Sequence, residues 1–234
     1  MATAASGLHH GTRRHPGAPA TEAVEDYAKA IYALERRGGG AVGTSALAER
    51  LGISPASVTA MLKRMDEMKL VSHEPYRGAK LTPAGEKVAL EVMRHHRLLE
   101  AYLAEALGMP WDRVHDEAEV LEHYISEELE ERIATALGDP HRDPHGDPIP
   151  DRELSLGAET GVALVGLGPG EEGTFSRVSD SDPAMLRYLA EQGIRPGATL
   201  RVTERQPFGG PLFVEVEGTV HAIGGDLAER MLIT

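Results

Sequence analysis

The sequence predicts a mainly α-helical protein that ends in a small β domain, and three observations predict it. Apolar residues recur at spacings of three and four from Thr21 to about residue 138, the mark of amphipathic helices. Short strand-like runs divided by Gly and Pro fill residues 161–234. Between them lies "DPHRDPHGDPIP", where each residue before a proline is kept out of helical geometry, so an extended linker is expected over 139–160. At 234 residues and 25.1 kDa the chain has room for more than one domain. Absence of Cys excludes disulfides and thiolate metal sites, and no run of 18 apolar residues offers a membrane helix. Residues 1–20 lack the apolar stretch of a signal peptide and read as a disordered tail with incidental His9 and His10, so a cytoplasmic protein is expected.

Each element can be justified in turn. "TEAVEDYAKAIYALERR" has Thr21 as a candidate cap and Val24, Tyr27, Ala28, Ile31 and Leu34 on one helical face, and Gly38 to Gly40 end it. "TSALAERLG" is a short helix stopped by Gly52; "ISPASVTAMLKRMDEMKL" starts a third with Ser54 as cap and Pro55 in the first turn. Two helices joined by a tight turn around a Gly form a helix-turn-helix, whose second helix presents its N-terminal residues to base edges. Those residues are Ser54, Ala56, Ser57, Thr59 and Ala60, with Lys63 and Arg64 a turn further on toward phosphates. The hairpin "LVSHEPYRGAKLTP" supplies a wing carrying Arg77 and Lys80.

Charge agrees with this placement. The net charge of -13 hides an asymmetry, because residues 1–80 hold 11 Lys or Arg against 8 Asp or Glu while the remainder holds 13 against 29. A polyanion should therefore meet the first third, and a winged helix-turn-helix over 21–84 is read as a binder of double-stranded DNA rather than a plain polar scaffold.

Residues 85–138 read as a helical dimerisation domain. "PAGEKVALEVMRHHRLLEAYLAEALG" is a long helix with Val88, Val92, Leu99, Leu103 and Leu107 on its apolar side. "VHDEAEVLEHYISEELEERI" reads as one helix striped by Val114, Ala118, Leu121, Ile125, Leu129 and Ile133, and unpartnered stripes of this kind suit a two-fold dimer. Beside that stripe lie His115, Glu119, Glu122, His123 and Ser126; His96 and Glu100 are four apart on the preceding helix, and Asp26 lies next to Tyr27 on the first. Imidazole with carboxylate and no sulfur suits manganese, ferrous iron or zinc, though spacing alone leaves a salt-bridged surface face equally open. A metal-storing or metal-dependent enzyme is disfavoured, since neither Glu-x-x-His nor His-Glu-x-x-His occurs in these helices.

In the linker, His141 and His145 are read as linker residues rather than ligands. Beyond it, "VALVGL", "EGTFSRVS", "ATLRVTERQ" and "PLFVEVEG", the hairpin signal "PFGG" and a helix "DPAMLRYLAEQG" capped by Asp182 predict a small five-stranded β-barrel over 161–234.

From about Thr21 to Thr234 the chain resembles the diphtheria toxin repressor family of metal-dependent transcriptional repressors. The resemblance rests on "EDYAKAIYALE", the winged helix with "LVSHEPYRGAKLTPAGEKVA", "VMRHHRLLEAYL", and "VHDEAEVLEHYISEELEERI" followed by "DPHGDPIP", in order and with their spacing. It implies a homodimer that binds a palindromic operator when metal is bound. In the iron-responsive branch the primary site takes a Met from the first helix and a Cys, a Glu and a His from the later one. Here Asp26 stands for that Met and Glu119 for that Cys, while Glu122 and His123 match. Hard carboxylates in place of sulfur are the manganese-branch pattern. The resemblance therefore implies a manganese-activated repressor of manganese uptake genes, with an iron-responsive repressor as the alternative. Lys29 stands where smaller manganese repressors have a further Glu, which puts their two-metal cluster in doubt. The ancillary site of longer members is matched by His96, Glu100 and His115; counting back from "GIRPG" puts its barrel ligands at Arg177, which cannot coordinate a cation, and Asp180. Zinc, cobalt and nickel should bind such a set more tightly than manganese in vitro.

Overall fold

The computed structural model describes residues 21–74, 77–157 and 160–234, so the tail expected at 1–20 lies outside the described residues. Helix α1 spans Glu22–Gly38 and stops at Gly39, whose φ of 67° sets a left-handed cap. Helices α2 (Thr44–Leu51) and α3 (Pro55–Glu67) are joined through Gly52, and the Ser54 hydroxyl accepts from the Ser57 N–H at 3.1 Å, the cap the sequence predicted. Strands β1 (Val71–Glu74) and β2 (Gly78–Leu81) pair antiparallel as the wing. Val24, Ile31, Leu47, Val58, Leu62 and Met65 are fully buried where the three helices meet.

Helix α4 (Pro83–Glu105) runs for 23 residues from a Thr82 cap, roughly 35 Å at 1.5 Å per residue, and connects the winged helix to the rest. The stretch expected as one helix over 114–133 is instead two, α5 (Val114–Leu121) and α6 (Glu127–Ala136). Ser126 causes the break. Its hydroxyl accepts from the Leu129 N–H at 3.3 Å and starts a new helix whose first turn carries Glu127, Glu128 and Glu130, favourable at the positive end of the helix dipole.

The apolar stripe divides accordingly. Ala118 and Ile133 pack on Leu98 and Leu99 of α4, and Val114 is buried as well, so these serve the chain's own core. Leu121 and Leu129 stay exposed, together with Leu107, Val120 and Tyr124.

Residues 139–157 contain no helix or strand, yet they are not a free linker. Asp143, His145, Asp147 and Ile149 are buried. Gly146, with φ of 90°, lets this segment lie against the last domain, where an added Cβ would fall 1.9 Å from the Ser176 carbonyl oxygen. Alongside it, Trp111, from the loop between α4 and α5, sits in the core of that domain.

The last domain is a six-stranded antiparallel sheet in the order β3-β8-β4-β5-β6-β7. Its elements are β3 (Val162–Ala163), β4 (Glu172–Val178), α7 (Pro183–Glu191), β5 (Thr199–Arg205), β6 (Leu212–Val216), β7 (Thr219–Ile223), α8 (Gly225–Arg230) and β8 (Met231–Ile233). The expected count was five strands, and the order starts at β3 and ends at β7 rather than closing. The run "VALVGL" keeps only Val162–Ala163 as β3 before turning at Leu164–Gly166, while β7 and β8 were not among the expected runs; β8 has three residues, too few for a readable alternation, and α8 is a six-residue turn. Phe175, Leu189, Leu200, Val214 and Ile223 fill the core between sheet and helices. Among the described residues no helix is long and apolar enough to cross a membrane.

Candidate metal centres

One face of α1 meets the turn that follows α5. Glu22, Glu25, Asp26 and Lys29 fall at i, i+3, i+4 and i+7 and therefore line one side of the helix. Each reaches across: the Tyr124 hydroxyl donates to Glu22 Oε1 at 2.6 Å, His123 Nδ1–H donates to Glu25 Oε2 at 2.6 Å, His123 Nε2 lies 3.2 Å from Asp26 Oδ1, and Lys29 Nζ reaches Glu119 and Glu122. The break between α5 and α6 makes this possible, since Glu122 and His123 sit in the turn and can aim at α1.

Three of the four residues expected in the primary site, Asp26, Glu122 and His123, offer ligand atoms within 4.8 Å of one another. The fourth, Glu119, groups instead with Glu122 and His96. Because Nδ1 of His123 is engaged by Glu25, its Nε2 is the nitrogen left for a cation; Glu25 is thus an orienting carboxylate that sequence reading missed. Burial outweighs the pull of His123 and Lys29 and pushes the Asp26 carboxyl up from its usual range. Glu122, almost wholly buried, moves the other way: burial opposes its charge, but His96 and Lys29 prevail and lower it.

The second cluster lies along α4. His96 Nε2, His115 Nδ1 and Glu100 Oε1 are mutually 3.1 to 3.3 Å apart, and Asp180 Oδ2 is 3.2 Å from His115 Nδ1. Ligands about 2.0–2.1 Å from one ion stand roughly 3.0–3.4 Å apart, so this converging set fits a dication. Asp180 reaches it from just beyond β4, which places all four expected ancillary residues in one cluster. Hydrogen bonds to Asp180 and Glu100 push the His115 pKa up to about 10. For His96, burial opposes the charge but Glu100 and Glu122 raise the pKa to about 9. His96 therefore faces both clusters, with Nδ1–H donating to Glu122 Oε2 at 2.6 Å and Nε2 turned to Glu100 and His115. Arg177, at the other counted barrel position, pairs with Asp147 at 2.9 Å instead.

His145, read from sequence as linker, is fully buried beside this cluster. Its Nε2–H donates to the Trp111 carbonyl at 2.7 Å, and its Nδ1 lies 3.6 Å from Glu100 Oε2, too far for a hydrogen bond. These two atoms are the buried side-chain donors and acceptors without a partner among the described residues. With Asp143 they form a further group of metal-ligand geometry. No spacing rule links Glu100 to residue 145; the signal available was "DPHGDPIP" itself, two acids flanking a His too regularly for an ordinary linker.

Residues 20–79 match the model of the iron dependent repressor N-terminal DNA binding domain, residues 82–151 that of the iron dependent repressor metal binding and dimerisation domain, and residues 162–234 the FeoA domain. The diphtheria toxin repressor of Corynebacterium glutamicum is 31% identical over 222 residues, 91% of this chain and 96% of that protein. The chain belongs to the diphtheria toxin repressor family. Iron-dependent repressor IdeR of Mycobacterium tuberculosis is 34% identical over 82% of this chain and 88% of its own length. A solved manganese-dependent transcriptional repressor in complex with manganese superposes with a TM-score of 0.81 at 39% identity, covering 90% of this chain and 99% of that one. As a member of this family the chain is a metal-dependent, DNA-binding transcriptional repressor with a dimerisation domain, and the exposed Leu121 and Leu129 lie in the part that the dimerisation model covers.

On the winged helix, Ser54, Ala56, Ser57, Thr59, Ala60, Lys63 and Arg64 are all exposed along one flank of α3, as are Arg77 and Lys80 on the wing. Two hydroxyls there are already engaged: Ser54 in its cap, and Thr59, which donates to the Pro55 carbonyl at 2.9 Å.

Proposed function

We propose that the chain is a manganese-activated repressor of metal-uptake genes. The observation that carries this reading is the donor set bridging α1 and the α5–α6 turn: Asp26, Glu119, Glu122 and His123, carboxylate and imidazole throughout in a chain without Cys. His96, Glu100, His115 and Asp180 form the ancillary site, with Asp143 and His145 adjoining it. A bound dication supplies the positive charge that lets these carboxylates converge without repulsion.

The protein's own residues turn that convergence into a DNA response. Asp26 belongs to the DNA-binding unit, while Glu119, Glu122 and His123 belong to the dimerisation unit. Drawing them together fixes α1, and with it α3, which shares its apolar core and packs on α2, relative to the dimer axis. Glu25 holds the His123 ring in the required orientation. Ser57, Ala60, Lys63 and Arg64 of the two protomers then keep a set spacing, matched to two half-sites of a palindromic duplex. Metal and operator favour the same arrangement, so each strengthens the binding of the other.

The test is an operator titration with manganese, ferrous iron and zinc, using a duplex selected from random sequence by the metal-loaded protein. It compares the parent with the double variant Asp26→Met, Glu119→Cys. Manganese should activate the parent, and the sulfur-bearing variant should shift toward iron or zinc. Equal activation of both proteins by manganese and iron would refute the hard-ligand basis of the selectivity, and activation of the parent by iron in preference to manganese would favour the iron-responsive alternative; no effect of any metal on DNA affinity would refute the switch.

A further inference from the structure

Glu119, Glu122 and His96 form a group with metal-ligand geometry, and a cation already sits in it. Lys29 Nζ lies 2.7 Å from Glu119 Oε1 and 2.6 Å from Glu122 Oε1. His96 completes the surroundings, 2.6 Å from Glu122 Oε2 and 3.8 Å from Glu119 Oε1. The lysine is mostly buried, and it spans from α1 to α5, 90 residues away in sequence. An ammonium is a compact, hard, strongly hydrogen-bonding charge, the side chain closest in character to a hard metal ion.

We infer that Lys29 is a tethered cation that occupies the second cation position of the primary centre. This rests on the reading of Asp26, Glu119, Glu122 and His123 as a metal site, and it assigns two roles to Lys29. The first is to keep α1 attached to α5 in the metal-free protein, by neutralising two carboxylates of which one has no exposure at all. The second is to set the metal requirement. Glu122 Oε1 faces both Lys29, at 2.6 Å, and His123 Nε2, at 3.4 Å. A dication between Asp26, Glu122 and His123 must therefore share or take that oxygen from the ammonium. With Lys29 present the centre holds one metal ion, bound more weakly than the carboxylates alone would hold it.

The experiment uses the full chain in a His115→Ala background, which weakens the ancillary cluster at its more exposed imidazole. Manganese binding is measured by calorimetry and by metal content after dialysis, alongside thermal melting of the metal-free protein. Lys29→Met keeps the apolar stem and removes the charge. It should lower the metal-free melting temperature, tighten the first manganese by about tenfold or more, and add a second equivalent per chain. Lys29→Arg keeps the charge and should retain the parent stoichiometry; Lys29→Gln should follow Met, and serves if Met fails to fold. Unchanged stoichiometry and affinity within twofold in both uncharged variants, while the parent binds manganese, would overturn the role of Lys29 alone. Absence of manganese binding in the parent background, with Glu122→Gln also silent, would overturn the metal centre itself.

Discussion

Replacing Trp111 by Ala should detach the C-terminal domain from the helical domain and thereby dismantle the ancillary cluster. Trp111 is the single tryptophan in the chain and is about 2% exposed, with its ring in the core of a domain to which its own loop does not belong. Its indole N–H donates to the Leu186 carbonyl at 3.1 Å, its ring stacks on His145 with centroids 5.7 Å apart, and the Arg195 guanidinium lies 4.8 Å from its centroid. Truncating a buried Trp to Ala costs about 3–5 kcal/mol. Within that, the hydrogen bond contributes about 1 kcal/mol and the cation–π contact about 0.5–1 kcal/mol. If the whole loss falls on docking, the ratio of docked to undocked forms falls by a factor on the order of 10² to 10⁴. Asp180 would leave His115 with it, because it follows β4 of the displaced domain. Hydrogen exchange of residues 143–147 and manganese calorimetry provide the assay, with Trp111→Phe as an intermediate case that keeps a stacking ring. Exchange should accelerate and the ancillary equivalent weaken, while the primary equivalent persists. Parent-like protection of 143–147 together with full ancillary binding in Trp111→Ala would refute the plug role.

Further consequences follow from the same structure. Glu130 receives hydrogen bonds from Arg94 and His95, and these outweigh the opposing effect of burial and hold its carboxyl below the usual range. A depressed carboxylate stabilises the fold above its unfolded pKa and loses that contribution as pH falls through the folded value, so Glu130→Gln should be less stable than the parent at pH 7 and converge with it as pH falls below the usual carboxylate range in urea titrations of metal-free protein. Glu at position 129, in place of an exposed Leu, should leave monomer stability within about 0.5 kcal/mol but raise the dimer dissociation constant by tenfold or more in sedimentation, and lower operator affinity with it. Lys63→Ala should weaken DNA binding across all sequences and reduce the slope of log K against log salt by about 0.9, whereas a base-reading residue would change sequence preference instead.

Much of this protein was legible in its sequence, wherever the deciding interaction is local. Ser54 with Pro55 and Asp182 with Pro183 are helix starts settled by a side chain and its own next turn, and each stands where the residues predict it. The chemistry of the donor set is likewise read from the residues, since a chain with no Cys can offer no thiolate, and Asp26, Glu119, Glu122 and His123 offer only nitrogen and oxygen to a metal. Ser126 shows the limit of periodicity: an apolar stripe can continue unbroken through a helix start, because spacing reports the buried face while capping decides where the helix breaks. Everything that depends on separation along the chain was left to the tertiary structure. It brought His145 to Glu100 through the turn at Gly146, divided the expected primary ligands between two groups, put His96 both in the one that holds Glu119 and in the ancillary cluster, and set Lys29 between Glu119 and Glu122. A charge is indifferent to sequence distance and responds to what burial leaves beside it, so the residues could name the ligands but only the packing of α1 against the α5–α6 turn could decide which cation each carboxylate meets.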